Sequence, residues 1–246
     1  MPNGAEIHVV PNCQIVVVFT AADCGLSCVG PPDHCWQRCP GGGRARLCWI
    51  QPIKAGSIVH LEIVEGDAFQ VEVQGDDNLV PLVRTNVIGD RLEIGLEGDY
   101  RISAQQPLVV RIACPPLQGL DLSGATQTTL TGNVSEVEVS GASSLEVSQL
   151  TVDQLSVHIS GASKTTFQGV VLSSLTLDSS GASKTNLEQL EADSLTVTIS
   201  GASSVECGNR IRQIRGSASG ASKVVCQKNT SVQVNTSGAA SVKQQG

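Results

Sequence analysis

The tripeptide Ser-Gly-Ala returns seven times in the second half of this chain, with its glycine at Gly124, Gly141, Gly161, Gly181, Gly201, Gly220 and Gly238. The intervals are 17, 20, 20, 20, 19 and 18 residues. A unit this short cannot bury an apolar face by itself. It becomes stable only by stacking on copies of itself.

The residues around each glycine say how the units stack. Six positions before it stand Leu155, Leu175, Leu195, Ile214 and Val232; four before stand Leu120, Val137, Val157, Leu177, Val197 and Val234. Two before stand Leu122, Val139, Ile159 and Ile199, with polar residues between. Alternation with period two is a strand with one buried face. Apolar residues return after the corner, as at Leu145 and Val147 or Val205 and Cys207, and a third cluster falls near Leu150, Val170 and Leu190. Nothing recurs at helical spacing, and β-branched residues dominate. The fixed Asn or Cys and the longer arm of a leucine-rich repeat are absent. The pattern predicts an all-β fold: a parallel β-helix (solenoid) of about seven coils of ~20 residues, each with about three short faces. At about 4.8 Å per coil the rod is about 34 Å long. The glycines are its structural corners, with alanine packed tightly behind each, and the serines form hydroxyl ladders or satisfy turn backbone groups.

Composition fits such an interior. The chain has 246 residues but only six aromatics, and Phe167 alone lies in the repeats. A narrow stacked core is filled by Val, Leu, Ile and Ala instead of rings. The net charge of −7 argues against nucleic acid as a partner, and no run is apolar and long enough for a transmembrane helix. The charge is uneven. Residues 1–50 form a Cys-rich segment, residues 51–116 an acidic β region with less regular alternation, and residues 117–246 the nearly neutral repeat solenoid. The acidic region reads as early coils or a packed β cap, which an open solenoid end needs.

Three elements of residues 53–246 carry a family resemblance. They are Ile58-Val59-His60-Leu61-Glu62-Ile63 through Val71-Glu72-Val73, then Gly89-Asp90-Arg91-Leu92-Glu93-Ile94, then Cys114-Pro115-Pro116 leading into Ser123-Gly124-Ala125. In these the chain resembles the bacterial autotransporter adhesin head GIN domain family. The resemblance implies a right-handed β-helix on an exported or surface-attached protein, and it brings no catalytic residues with it.

Cysteines fall in two groups. Cys13, Cys24, Cys28, Cys35, Cys39 and Cys48 crowd the first segment, with His34 among them. Disulfides, free thiols and a metal site are all open there, and six cysteines allow 15 pairings. No Lys or Arg precedes Arg38, so the start does not read as a signal peptide. Cys207 and Cys226 each lie six residues after a corner glycine, hence on neighbouring coils. They are a candidate disulfide. The competing reading, two small apolar fillers like Val147 and Leu187, is preferred because strand geometry often orients sulfurs poorly.

Candidate sites are few. Asp121, Glu138, His158, Asp178 and Thr198 should form one outward ladder, read as a solvated face. Lys164, Lys184 and Lys223 should form a column beside the corners, and Arg210, Arg212 and Arg215 a basic patch suited to an anionic glycan. These six basic residues are the candidate surface-binding residues. His8, His34, His60 and His158 have no ligand spacing, and Thr165-Thr166 with Thr185 is only a fragment of an ice-binding array. Asn133, Asn229 and Asn235 begin glycosylation sequons. No phosphate loop, nucleophile elbow or HExxH motif occurs, and no catalytic residue, cofactor or metal ligand is assigned. The expected function is non-enzymatic: an extracellular or cell-surface β-helix in adhesion, with a surface glycan or protein as partner. One alternative is a filament built by end-to-end or strand-donation contacts. The other is a carbohydrate-active β-helix enzyme.

Overall fold

In a computed structural model of the chain the described residues are 6–10, 14–18, 36–38 and 44–46 as strands, and 52–245 without 57–58, 68, 77, 89–90 and 97–106. The six early cysteines and His34 lie outside them, as do the side chains of the first four strands.

The repeats form the expected parallel β-solenoid. Val134–Val139 lies between Leu117–Leu122 and Thr151–Ile159, and Lys164–Ser179 pairs with Lys184–Ile199, all parallel and one coil apart. Inward residues stack on their equivalents: Leu120, Val137, Val157, Leu177 and Val197 form one column, none more than 2 % exposed. Seven corners enclose about six turns, one fewer than the seven coils expected, because each turn runs from one corner to the next.

The corner explains the motif. The seven glycines have φ between 69° and 77°. A Cβ on Gly161 would overlap the carbonyl oxygen of Gly141 in the preceding coil. That carbonyl accepts from the Ala162 N–H at 2.8 Å, and the same bond recurs from Ala142 to Ala239. Behind the corner, the next serine is buried and turns its hydroxyl back on its own turn. Ser143 donates to the Ser140 carbonyl, Ser163 to Ser160 and Ser203 to Ser200, at 2.8–2.9 Å. Ser183 also donates to Ser203 Oγ at 3.1 Å, so the expected hydroxyl ladder and the expected turn bonds are the same serines.

A second bend lies across the coil. Gln149 (φ 55°) and Gly169 (φ 59°) occupy it in successive coils. Here the ladder slips: Thr166 faces Asn186, Gln168 faces Gln189 and Val170 faces Leu190. The slip flanks Phe167, the single ring of the repeat core, which is 1 % exposed. The shorter coils replace this run with turns at 209–210 and 228–229.

The acidic region is part coil and part cap. Ile53–Ala55 and His60–Glu65 join the parallel stack, against Leu117–Leu122 and Gln127–Thr131. Gln70–Gln74 then runs antiparallel to Val109–Cys114, Gln14–Val18 antiparallel to it, and Glu6–Val10 lies outermost. One apolar core runs unbroken from Ile53 to Cys226.

Candidate functional site

Outward residues also stack, so every face carries rows of side chains one strand spacing apart. The expected ladder exists in the expected order, from Asp121 through Glu138, His158 and Asp178 to Thr198. It also extends where the sequence reading did not follow. Lys54 stacks on Asp121 and Glu93 on Lys54. Lys54 Nζ lies 2.9 Å from Asp121 Oδ2, and this hydrogen bond, with the carboxylate's charge, raises the lysine pKa.

His158 is held at both nitrogens. Nδ1 lies 3.2 Å from Asp178 Oδ2 and Nε2 3.3 Å from Ser156 Oγ. A serine, an imidazole and a carboxylate in this order are the components of an acyl-transfer triad. The surroundings do not complete one. Both edges of Thr151–Ile159 pair with parallel neighbours, so the backbone N–H groups that would make an oxyanion hole are committed to the sheet. Ser156 also sits directly beside Glu136, whose charge opposes an oxyanion. Ser156, His158 and Asp178 are a row of polar contacts on the surface.

The lysine column is real but diluted. Lys164 stacks on Lys184, then Ser204 and Lys223 follow. Lys184 is tied to Glu206 at 3.0 Å. The arginines do not form one patch. Arg210 lies 3.8 Å from Glu191 and Arg212 3.1 Å from Asp193, while Arg215 stands on another row and its guanidinium reaches the Gln213 side-chain oxygen at 2.8 Å. The expected anion site is therefore internally balanced. The cause is arithmetic: 191 to 210 and 193 to 212 are both 19 residues, the length of that coil, so the acidic pair lands beside the basic pair.

These four residues belong to a concave trough of about 540 Å³ beyond the second bend. One wall is the row Thr151, Val171, Glu191, Arg210, and the other is Asp153, Ser173, Asp193, Arg212. Val152, Leu172 and Ala192 lie between the walls. The sequence reading missed the trough. The available signal was the pair of i, i+2 charged dyads one coil apart. A smaller hollow of about 250 Å³ runs between the His158 ladder and the corner serines Ser160, Ser180 and Ser200.

Cys207 and Cys226 are buried free thiols, as is Cys114, so the candidate disulfide is not formed. The Cys226 thiol instead donates to the Lys243 carbonyl at 3.7 Å. Burial, with a smaller contribution from Cys226, pushes Cys207 up to about 12; burial and then Glu65 do the same to Cys114. Burial also raises Cys226. At pH 8 these thiols are neutral, and they should resist iodoacetamide in the native chain and react in denaturant. Peptide mapping would show it, and rapid native alkylation of Cys207 would contradict the packing. Because the folded pKa values exceed the unfolded value of 9.0, the thiols' contribution to stability is complete below pH 9. It is lost as pH rises toward 12.

Of the sequons, Asn133 is engaged in the fold: its Oδ1 accepts from the Thr151 N–H at 2.9 Å. Asn229 and Asn235 are exposed. Among the described residues no group of three or more His, Cys, Asp or Glu is placed to hold a metal ion, and no helix is long and apolar enough to cross a membrane.

A parallel stack of coils with ordered outward rows and a capped end defines a β-solenoid repeat protein, and comparison places the chain in a family of that class. Residues 51–230 match the family described as "Putative auto-transporter adhesin, head GIN domain", and the chain belongs to that family. Its fold is shared with crystal structures of two proteins described as putative adhesins. One, from Bacteroides fragilis, has a TM-score of 0.68 at 18% identity, covering 78% of this chain and 91% of that one. The other, from Parabacteroides merdae, has a TM-score of 0.59 at 16% identity, covering 79% and 91%. A protein from Parabacteroides distasonis described as a putative lipid binding protein has a TM-score of 0.59 at 13% identity, covering 80% and 93%. No curated protein matches the chain.

Proposed function

We propose that this chain is a non-enzymatic surface-binding module, acting in adhesion at the cell surface or outside the cell, with a glycan as its ligand. Membership of the adhesin family carries the reading. The geometry supports it in two ways. The faces present side chains in rows with a fixed spacing, which suits an extended, repetitive partner. Among the described residues, the triad-like row of Ser156, His158 and Asp178 lacks a built oxyanion site, which argues against acyl transfer there.

Beads coated with the native chain should adhere to cells, and the labelled chain should be retained saturably on a glycan array. Beads coated with heat-denatured chain are the control. Adhesion no greater than this control would overturn the adhesin reading. Release of reducing ends or unsaturated sugars from polysaccharides would overturn its non-enzymatic part.

A further inference from the structure

The trough beyond the second bend has the chemistry of a ligand site for one particular class of glycan. We infer that it binds a neutral, linear polysaccharide lying along the solenoid axis. This rests on the reading of the chain as a glycan-binding adhesin.

Charge selects the ligand. The trough holds three carboxylates, from Asp153, Glu191 and Asp193, and two guanidiniums, from Arg210 and Arg212. A polyanion meets carboxylates on two of the four rungs, at Asp153 and at Glu191 with Asp193, and a polycation is repelled at the arginine end. Sugar hydroxyls both donate and accept, so they use both kinds of group. The guanidiniums are not used up by their ion pairs. Arg212 and Arg210 have side chains 83% and 66% exposed, and each makes one ion-pair contact while carrying five N–H donors. The pairs hold the arginines beside the carboxylates, at 3.8 and 3.1 Å, so donors and acceptors stand side by side along the trough.

Shape selects the orientation. The two walls run along the axis, across four successive coils, and equivalent side chains repeat at the strand spacing. The rung of Val171 and Ser173 is uncharged, and Val171 is 46% exposed beside the Leu172 and Ala192 strands. This gives the C–H face of a sugar ring an apolar rest, flanked by charged rungs that reach its hydroxyls. A chain laid along the trough meets a new pair of walls at each coil.

The test is affinity electrophoresis of the full chain through gels containing dextran, mannan, xyloglucan or a linear β-glucan, with polygalacturonate and heparin as polyanions. At least one neutral polysaccharide should retard the chain, with little change on raising salt to about 0.5 M, where charge-driven binding is screened. Ser173→Ile, which narrows the trough from an exposed position without an aromatic face for a sugar to stack on, should raise the apparent Kd about tenfold or more. The Asp193→Ala/Arg212→Ala double variant should do the same without adding bulk. Gln233→Ala, on a separate outward row, should bind as the parent does.

Failure of every neutral polysaccharide to retard the chain overturns the assignment. So does retardation by polyanions alone that salt abolishes. Retardation unchanged in both trough variants moves the glycan site elsewhere but leaves glycan adhesion standing. Adhesion of coated beads without any glycan retardation removes the trough ligand and keeps the adhesin.

Discussion

Replacing Gly161 by alanine should cost about 3–5 kcal/mol of stability, among the largest effects of any single methyl group in this chain. Two costs add. The residue has φ of 74°, a left-handed conformation that costs an L-residue about 1–2 kcal/mol. The new Cβ also collides with the Gly141 carbonyl, so the two coils must separate at the corner where the Ala162 N–H bonds it. Gly169→Ala is the internal control. Its φ is 59°, but nothing lies within 4 Å of the new Cβ, and Gln149 already adopts this conformation one coil earlier. It should lose only about 1 kcal/mol. Urea unfolding of both variants, with hydrogen exchange at Ala162, checks the pair. Equal losses would show that coil contact at the corner is not what selects glycine.

Phe167→Ala should be comparably damaging, at about 3–5 kcal/mol. The ring is 1 % exposed and stacks on Val147 in a column otherwise made of small aliphatic and thiol side chains. No neighbouring ring can move in to fill the space. Phe167→Leu keeps most of the volume and should lose about 1 kcal/mol. A loss below about 1 kcal/mol for the alanine variant would mean that the coils collapse around the cavity.

The features legible in the sequence are those governed by period two and by the corner. Leu120, Val137 and Val157 point inward because they alternate with polar neighbours, and the outward ladder from Asp121 to Thr198 follows from the same count. The charged dyads were harder. Arg210, Arg212 and Arg215 look like one basic cluster along the chain. Stacking instead pairs Arg210 and Arg212 with residues 19 positions earlier and leaves Arg215 on another row. The trough was illegible for a related reason. It lies past the second bend, where the offset between stacked residues changes from 20, as from Val171 to Glu191, to 19, as from Ala192 to Ile211, so a single repeat length does not bring all four rungs together. The antiparallel cap was hidden too, because alternation marks a strand but not its direction.

Coil length varies between 17 and 20 residues, yet the glycine corners remain hydrogen-bonded in an unbroken line. The difference is taken up on the opposite side, where turns at 209–210 and 228–229 replace continuous strand. The molecule therefore has a spine and a margin. Sequence along the spine is fixed by backbone contact from coil to coil, while the margin can accept or lose residues without disturbing the stack. Loops grafted beside Gly169 or Asn209 would ride on a rigid scaffold with their spacing set by the coils. A lineage of such proteins can change what it touches by altering one side alone.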